Sequence, residues 1–316
     1  MAALSTSLRA ARRQRRQARA QGAVPARGLV STAQLNRGSN RIIYRIVLTV
    51  VIVIATLVFI GPLYFLFSDG LKSTQEAIAS PPTLYPHQVH FSTYTKAWSF
   101  MQVGILLKNT LYYAIGALLF QLVFDVSAAY ALSKLRPVLG NVIFAMMLST
   151  LMIPAAVLLV PQYLTVASLP IVNFSLLGTP EAIWLPSVAN AFSIFLLKRF
   201  FDSIPGDLLA AAAIDGASPL RTLWKIVIPI SRPILGVVSI FSFIGVWKDF
   251  LWPLLVEANF TPTRESLNVG IYELSGSAPQ NLVIAASAMA AIPTLIFFLF
   301  FQRNIMSGLT AGGLRG

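Results

Sequence analysis

The chain has 316 residues, of which 56% are hydrophobic and 11% charged, with a net charge of +13 and no cysteine; ordinary soluble domains carry roughly 25% charged residues. With a mean hydropathy of +0.72, too little polar surface exists to cover the apolar content in water. A cytosolic globule and a low-complexity disordered chain are both excluded, and lipid is the expected solvent. The lack of cysteine removes disulfide frameworks, thiolate metal sites and cysteine nucleophiles.

Residues 1–45 hold ten Arg and no acid, among them Arg12, Arg13, Arg15, Arg16 and Arg19. Basic residues beside a membrane span set topology or meet lipid headgroups, so this tail reads as topogenic and not as a nucleic-acid arm. Beyond it, charge-free runs locate spans, because an ionised side chain at mid-bilayer costs at least about 2.5 kcal/mol. Ile46 to Ser68 is the first. It is longer than the apolar part of a signal peptide and no small-x-small site follows, so it is expected to stay as an anchor. Asn109 to Ser133 is the second, interrupted only by Asp125. Pro137 to Pro180 carries no charge at all; it yields a third span at Val142 to Val160. The rest, Pro161 to Pro180, is a proline-punctuated outer segment that cannot be one regular helix. Ala182 to Leu197 is the fourth span. Pro233 to Val256 is the fifth, with Lys248 and Asp249 embedded, and Leu274 to Gln302 is the sixth.

Lys and Arg are retained on the cytoplasmic side. An inside N-terminus places 19 of the 24 there, leaving Lys72, Lys96, Lys108 and Arg264 outside and Lys248 within a span. The expected fold is therefore an all-α polytopic membrane protein with six transmembrane helices and both termini cytoplasmic. A basic tail spans 1–45, a transmembrane body 46–303 and a Gly-rich tail 304–316.

The only substantial internal cytoplasmic segment, Lys198 to Arg232, reads as two short helices. Pro205 and Asp207 suit the start of the first, by early-turn geometry and by the helix dipole. Gly216 tolerates the positive φ that ends it, and Ser218 and Pro219 form a cap and first-turn pair for the next. The four alanines Ala210 to Ala213 form either a slim surface for close approach or simply a good helix.

Within the fifth span, Lys248 lies 14 residues beyond Ile234, about 21 Å at helical rise, so it must face protein or water. Intramembrane charges are functional candidates. Lys248 and Asp249 read either as part of a translocation path or as a structural ion pair. Ser242, Gly245 and Asp249 share one face by helical spacing. A buried Asp125 completes the membrane charges. His87 and His90 lie in an outer loop without neighbouring carboxylates, no Ser/His/Asp grouping is present, and no Gly-rich phosphate loop occurs. Energy for active uptake must then come from another chain.

The run Ile204-Pro205-Gly206-Asp207-Leu208-Leu209-Ala210-Ala211-Ala212-Ala213-Ile214-Asp215-Gly216-Ala217-Ser218 resembles the EAA loop of binding-protein-dependent ABC transporter permeases. Met152-Ile153-Pro154, Trp247-Lys248-Asp249-Phe250, Leu267-Asn268-Val269-Gly270 and the ending Gly312-Gly313-Leu314-Arg315-Gly316 extend the likeness to the carbohydrate-uptake, maltose-type branch. The resemblance implies that the loop within 200–232 is a coupling element seated on a cytoplasmic ATPase, through Asp207, Leu208, Ala211, Ala212, Ile214, Asp215, Gly216 and Ala217. It also implies a second homologous permease subunit, an ABC ATPase dimer that holds ATP and Mg, an extracytoplasmic solute-binding protein, and a sugar or oligosaccharide as solute. No cofactor belongs to this chain, no covalent chemistry is expected, and the location is a prokaryotic cell membrane.

Similar permeases place sugar contacts on the fifth span, which points to Ser242, Gly245, Lys248 and Asp249. Asn190 and Phe192 on the fourth are added as a hydrogen-bonding group and a stacking surface, although an Asn there equally serves as interhelical glue. Two positions depart from the family pattern: Ala210 replaces its usual Glu, and Lys248 stands where Asn is frequent. The rival reading is a secondary transporter using Asp125, Lys248 and Asp249 as an intramembrane relay.

Overall fold

The computed structural model describes residues 38–170, 173–257 and 264–313, with only the backbone described for 38–41 and 303–313. Most of the basic tail and the side chains of the Gly-rich end lie outside the described residues. Every regular element described is helical.

The chain divides into two compact units, one up to Leu63 and one from Tyr64 onward. The first holds most of α1, Gly38–Asp69. Its apolar side chains, Ile46, Val51, Leu57 and Phe59 among them, are exposed, as expected of a helix whose solvent is lipid.

The second unit takes in the end of α1 and then two short elements, α2 (Thr74–Ala77) and α3 (Ser92–Phe100). Next comes α4, Val103–Tyr130, prolonged by a π turn over Ala131–Leu135. Pro137, which cannot continue a helix, follows Arg136 in left-handed geometry. Helix α4 is the central post. Ala114, Ala117 and Ala129 are fully buried along it, and such small side chains let neighbouring helices approach closely where lipid supplies no hydrophobic drive.

The third expected span is not one rod. α5 (Gly140–Thr150) and α6 (Ala155–Ala167) meet at 108°, because Pro154 caps α6 in extended geometry and offers no N–H to the preceding turn. Pro161 lies inside α6, so the helix runs past the boundary expected at Val160. The fourth expected span is also broken. It contains α7 (Glu181–Trp184), a 3₁₀ turn over Leu185–Ser187 and, after Asn190, α8 (Ala191–Asp202).

α9 (Gly206–Ile214) and a helical run α10 (Pro219–Ile230) follow, and α10 meets α11 (Arg232–Lys248) at 84°. The fifth span stops at Lys248: Asp249 is extended, and α12 (Leu251–Glu257) starts afresh. The sixth expected span began too early. Leu274 belongs to α13 (Leu267–Ser275), and the long helix α14 runs Gln280–Gly313. Among the described residues, three helices are long and apolar enough to cross a membrane alone, or up to five if each bent pair counts as one span.

Three apolar clusters hold this unit together. Leu197, Phe201, Ile204, Leu223 and Val227 join α8 to the base of α10. Met101, Leu106, Phe243, Trp247, Leu267 and Ala285 join α4, α11, α13 and α14. Tyr113, Ile183, Trp184, Trp252 and Val256 pack α4 against α7 and α12.

Candidate functional site

The breaks after α5, before α8 and after α11 converge on one cavity of about 670 Å³. Its wall includes Gln121, Gln162, Ser187, Asn190, Ser193, Ser242 and Asp249 as polar groups and Phe192, Phe241 and Trp252 as aromatic ones. Phe192 and Phe241 meet edge to face, with ring centroids 6.0 Å apart. Hydrogen-bonding groups beside an aromatic face are what a hydroxyl-rich solute requires.

Five of the six residues proposed from sequence for the solute path therefore share this space: Asn190, Phe192, Ser242, Gly245 and Asp249. Gly245 has open space where a Cβ would stand. The sixth, Lys248, lines a separate pocket of about 570 Å³ with Phe250, Asn268, Tyr272 and Thr294. Successive residues of one helix end thus face different chambers. No ion pair joins Lys248 to Asp249 or to Asp125 among the described residues. Asp249 instead lines the first cavity, in extended geometry between the end of α11 and the start of α12. Asp125 is fully buried and accepts from the Asn190 N–H at 3.0 Å.

Sequence reasoning missed Gln121, Ser193 and Phe241. Ser242 Oγ donates to Gln121 Oε1 at 2.6 Å, and Gln121 Nε2 donates to Ser193 Oγ at 3.3 Å, so one amide ties α11 and α8 to α4. The available signal was spacing: Gln121 stands four residues before Asp125 on one helix face.

The second region is the turn between α9 and α10. Gly216 adopts φ +74°. The Ala217 N–H donates to Ala212 O at 2.9 Å and the Gly216 N–H to Ala213 O at 3.1 Å, the paired bonds of a Schellman end. Ser218 Oγ accepts from the Arg221 N–H and starts α10. Asp207, Leu208, Ala211, Ile214, Asp215 and Gly216 are exposed, and Ala217 is half-buried. Ala212 is buried against the body, so it shapes the turn from beneath and offers no surface. Apolar exposure continues through Leu220 and Trp224, 69% and 65% exposed.

The base of this turn is polar and braced. Asp202 accepts from Ser133 Oγ at 2.7 Å and from Lys198 Nζ at 2.8 Å, and Lys134 Nζ donates to Ile204 O at 3.1 Å. No group of three His, Asp or Glu that could hold a metal occurs among the described residues.

A bundle of apolar, broken helices enclosing a polar and aromatic cavity, with a capped apolar turn projecting from it, defines a membrane transport subunit. The comparisons agree in detail. The model of the family described as binding-protein-dependent transport system inner membrane component matches residues 121–307. The sulfoquinovosyl glycerol transport permease of Agrobacterium fabrum is 31% identical over 81% of this chain and 88% of its own. The diacetylchitobiose uptake permease of Streptomyces coelicolor is 29% identical over 84% and 87%. The sn-glycerol-3-phosphate transport permease of Pectobacterium atrosepticum is 30% identical over 82% and 94%. A chain in the crystal structure of a bacterial ABC transporter that imports the acidic polysaccharide alginate superposes with TM-score 0.73 at 26% identity, covering 84% of this chain and 97% of that one. The chain belongs to the inner-membrane permease family of binding-protein-dependent ABC importers.

Proposed function

We propose that this permease subunit carries a sugar, oligosaccharide or related glycosyl solute through the cavity bounded by α4, α6, α8, α11 and α12, opening alternately to the two sides of the membrane. The observation that carries the reading is the joint placement of Asn190, Phe192, Ser242, Gly245 and Asp249 on one cavity wall, where Ser242 and Gly245 belong to the helix α11 that leads back to the Gly216 turn through α10. The permease homologues named for glycosyl and glycerol-phosphate solutes support the solute class.

In this reading the body makes six passes with both termini cytoplasmic, the bent pairs and the broken fourth segment each counting as one. The basic tail and the Gly-rich end lie in the cytoplasm of a prokaryotic cell. The exposed ridge of Leu208, Ile214 and Leu220 seats on a partner ATPase dimer that binds ATP and Mg and does the hydrolysis. A second, homologous permease completes the pore, and an extracytoplasmic binding protein delivers solute to the outer loops.

Vesicles containing the assembled complex test this. ATP-dependent uptake that Gly245→Phe abolishes at matched abundance is expected. Uptake driven by an ion gradient without ATP would return the case to a secondary transporter, and normal uptake in Gly245→Phe would remove the cavity from the path.

A further inference from the structure

Asp125 is an acid in the middle of an apolar helix, fully buried and without a cation partner among the described residues. Such a group is costly in a membrane and persists where it does something. Its Oδ1 accepts from the backbone N–H of Asn190, and its Oδ2 is buried without a partner. Asn190 is the cap of the 12-residue helix α8, so the carboxylate sits at the positive end of that helix dipole.

Asn190 has four polar groups, and three are committed. Its N–H goes to Asp125, its carbonyl accepts from Ile194, and its Oδ1 accepts from the Ser193 N–H at 3.0 Å. The cap needs the side-chain oxygen, and this decides the orientation of the amide: the NH₂ is turned away from the helix. The residue is exposed and lines the cavity. Two cavity hydroxyls, those of Ser242 and Ser193, are engaged with Gln121. The Asn190 NH₂ is left open, beside the edge-to-face pair of Phe192 and Phe241.

We infer that Asp125 is a positioning residue for the solute site: it fixes the start of α8 so that the Asn190 NH₂ is presented as a donor to an acceptor oxygen of the solute. A hydroxyl, ring or anionic oxygen of a glycosyl solute fits that donor. The inference rests on the cavity being the solute site, and the experiment separates the two.

The chain has no cysteine, so an introduced thiol is the only one in this subunit, and labelling is read on this subunit after it is separated from its partners. In the assembled transporter, Gly245→Cys is labelled with an impermeant thiol reagent while solute is titrated as protectant. The probe is the best-carried of diacetylchitobiose, sn-glycerol 3-phosphate and sulfoquinovosyl glycerol. Asp125→Leu and Asn190→Ser, which keeps the cap but shortens the donor, are each expected to raise the half-protecting concentration about tenfold, the scale of one hydrogen bond. Asp125→Asn, which retains an acceptor for the Asn190 N–H, should restore protection, and Asp125→Leu added to Asn190→Ser should cost nothing further. In a second arm without solute, Asp125→Leu should change the labelling rate of Phe192→Cys and Asp125→Asn should not. Multiplying effects of Asp125→Leu and Asn190→Ser, or an unchanged Phe192→Cys rate in Asp125→Leu, would overturn the inference. A Gly245→Phe transporter with normal uptake would instead overturn the cavity itself.

Discussion

Replacing Gly216 by Val perturbs one dihedral and nothing else. Gly216 stands at φ +74°, and a Cβ built there meets no atom within 4 Å. The penalty is therefore conformational. Left-handed geometry costs an L-residue about 1–2 kcal/mol, and β-branching adds to that by restricting χ1. One to two kcal/mol lowers the ratio of intact to opened turn about 5- to 30-fold. The two hydrogen bonds that close α9, from Ala217 to Ala212 and from Gly216 to Ala213, are lost in the fraction that opens, and the exposed Ile214 ridge moves with them. ATP-driven uptake by vesicles, normalised to subunit abundance, should fall several-fold or more in Gly216→Val and much less in Gly216→Asn, since Asn tolerates this region. Wild-type uptake in the Val variant would refute the reasoning. Equal loss in Val and Asn would too, because space and not backbone conformation would then be limiting.

Gln121→Leu leaves the Ser193 and Ser242 hydroxyls without their shared amide, which should cost about 1–3 kcal/mol and lower the thermal midpoint of the purified complex; an unchanged midpoint would show the amide to be dispensable. Phe201 is fully buried between α8 and α10, so Phe201→Ala should destabilise by about 3–5 kcal/mol, read as reduced membrane abundance with the cavity residues untouched. The loop between α2 and α3 is pinned by Glu76, whose Oε1 accepts from the His87 N–H at 2.9 Å and from Thr83 Oγ1 at 3.0 Å and meets His87 Nδ1 at 2.7 Å. The His87 backbone bond, against some desolvation, and then the His87 and Thr83 side chains hold its carboxyl below the ordinary 4.5. A depressed acid stabilises the folded loop at pH above about 4.5, and that contribution is lost as pH falls through the lowered value. Protease nicking within 81–90 from outside should therefore rise at acid pH in the wild type. In Glu76→Gln it should be high already at neutral pH and nearly independent of pH.

The three long apolar helices α1, α4 and α14 were legible because charge is excluded from lipid regardless of tertiary detail. The ends of the turn between α9 and α10 were legible for a different reason: Ser218, Pro219 and Gly216 have local geometric preferences that need no partner. What escaped the sequence was the interior of spans three to five. Pro154 marked a break only in hindsight, since Pro161, an equally strong signal, sits inside α6 without ending it. The break before α8 hangs on the Asn190 N–H donating to Asp125, 65 residues earlier, which no local pattern records. Gln121 was barely legible for a similar cause: its spacing from Asp125 puts both on one helix face, but its importance comes from two hydroxyls on other helices. The adjacent Lys248 and Asp249 looked like a pair, yet the chain extends at Asp249 and turns them to different chambers.

The 84° corner at Ser231 has a mechanical meaning. Ser231 is fully buried and its N–H is held by both Val227 and Ile228, while Pro233 withholds a backbone donor from the turn before it. Two stiff arms joined nearly at right angles behave as a bell crank. A shove along the axis of α10 has almost no component along α11 and must emerge as a swing of that arm, carrying Ser242 and Gly245 sideways with it.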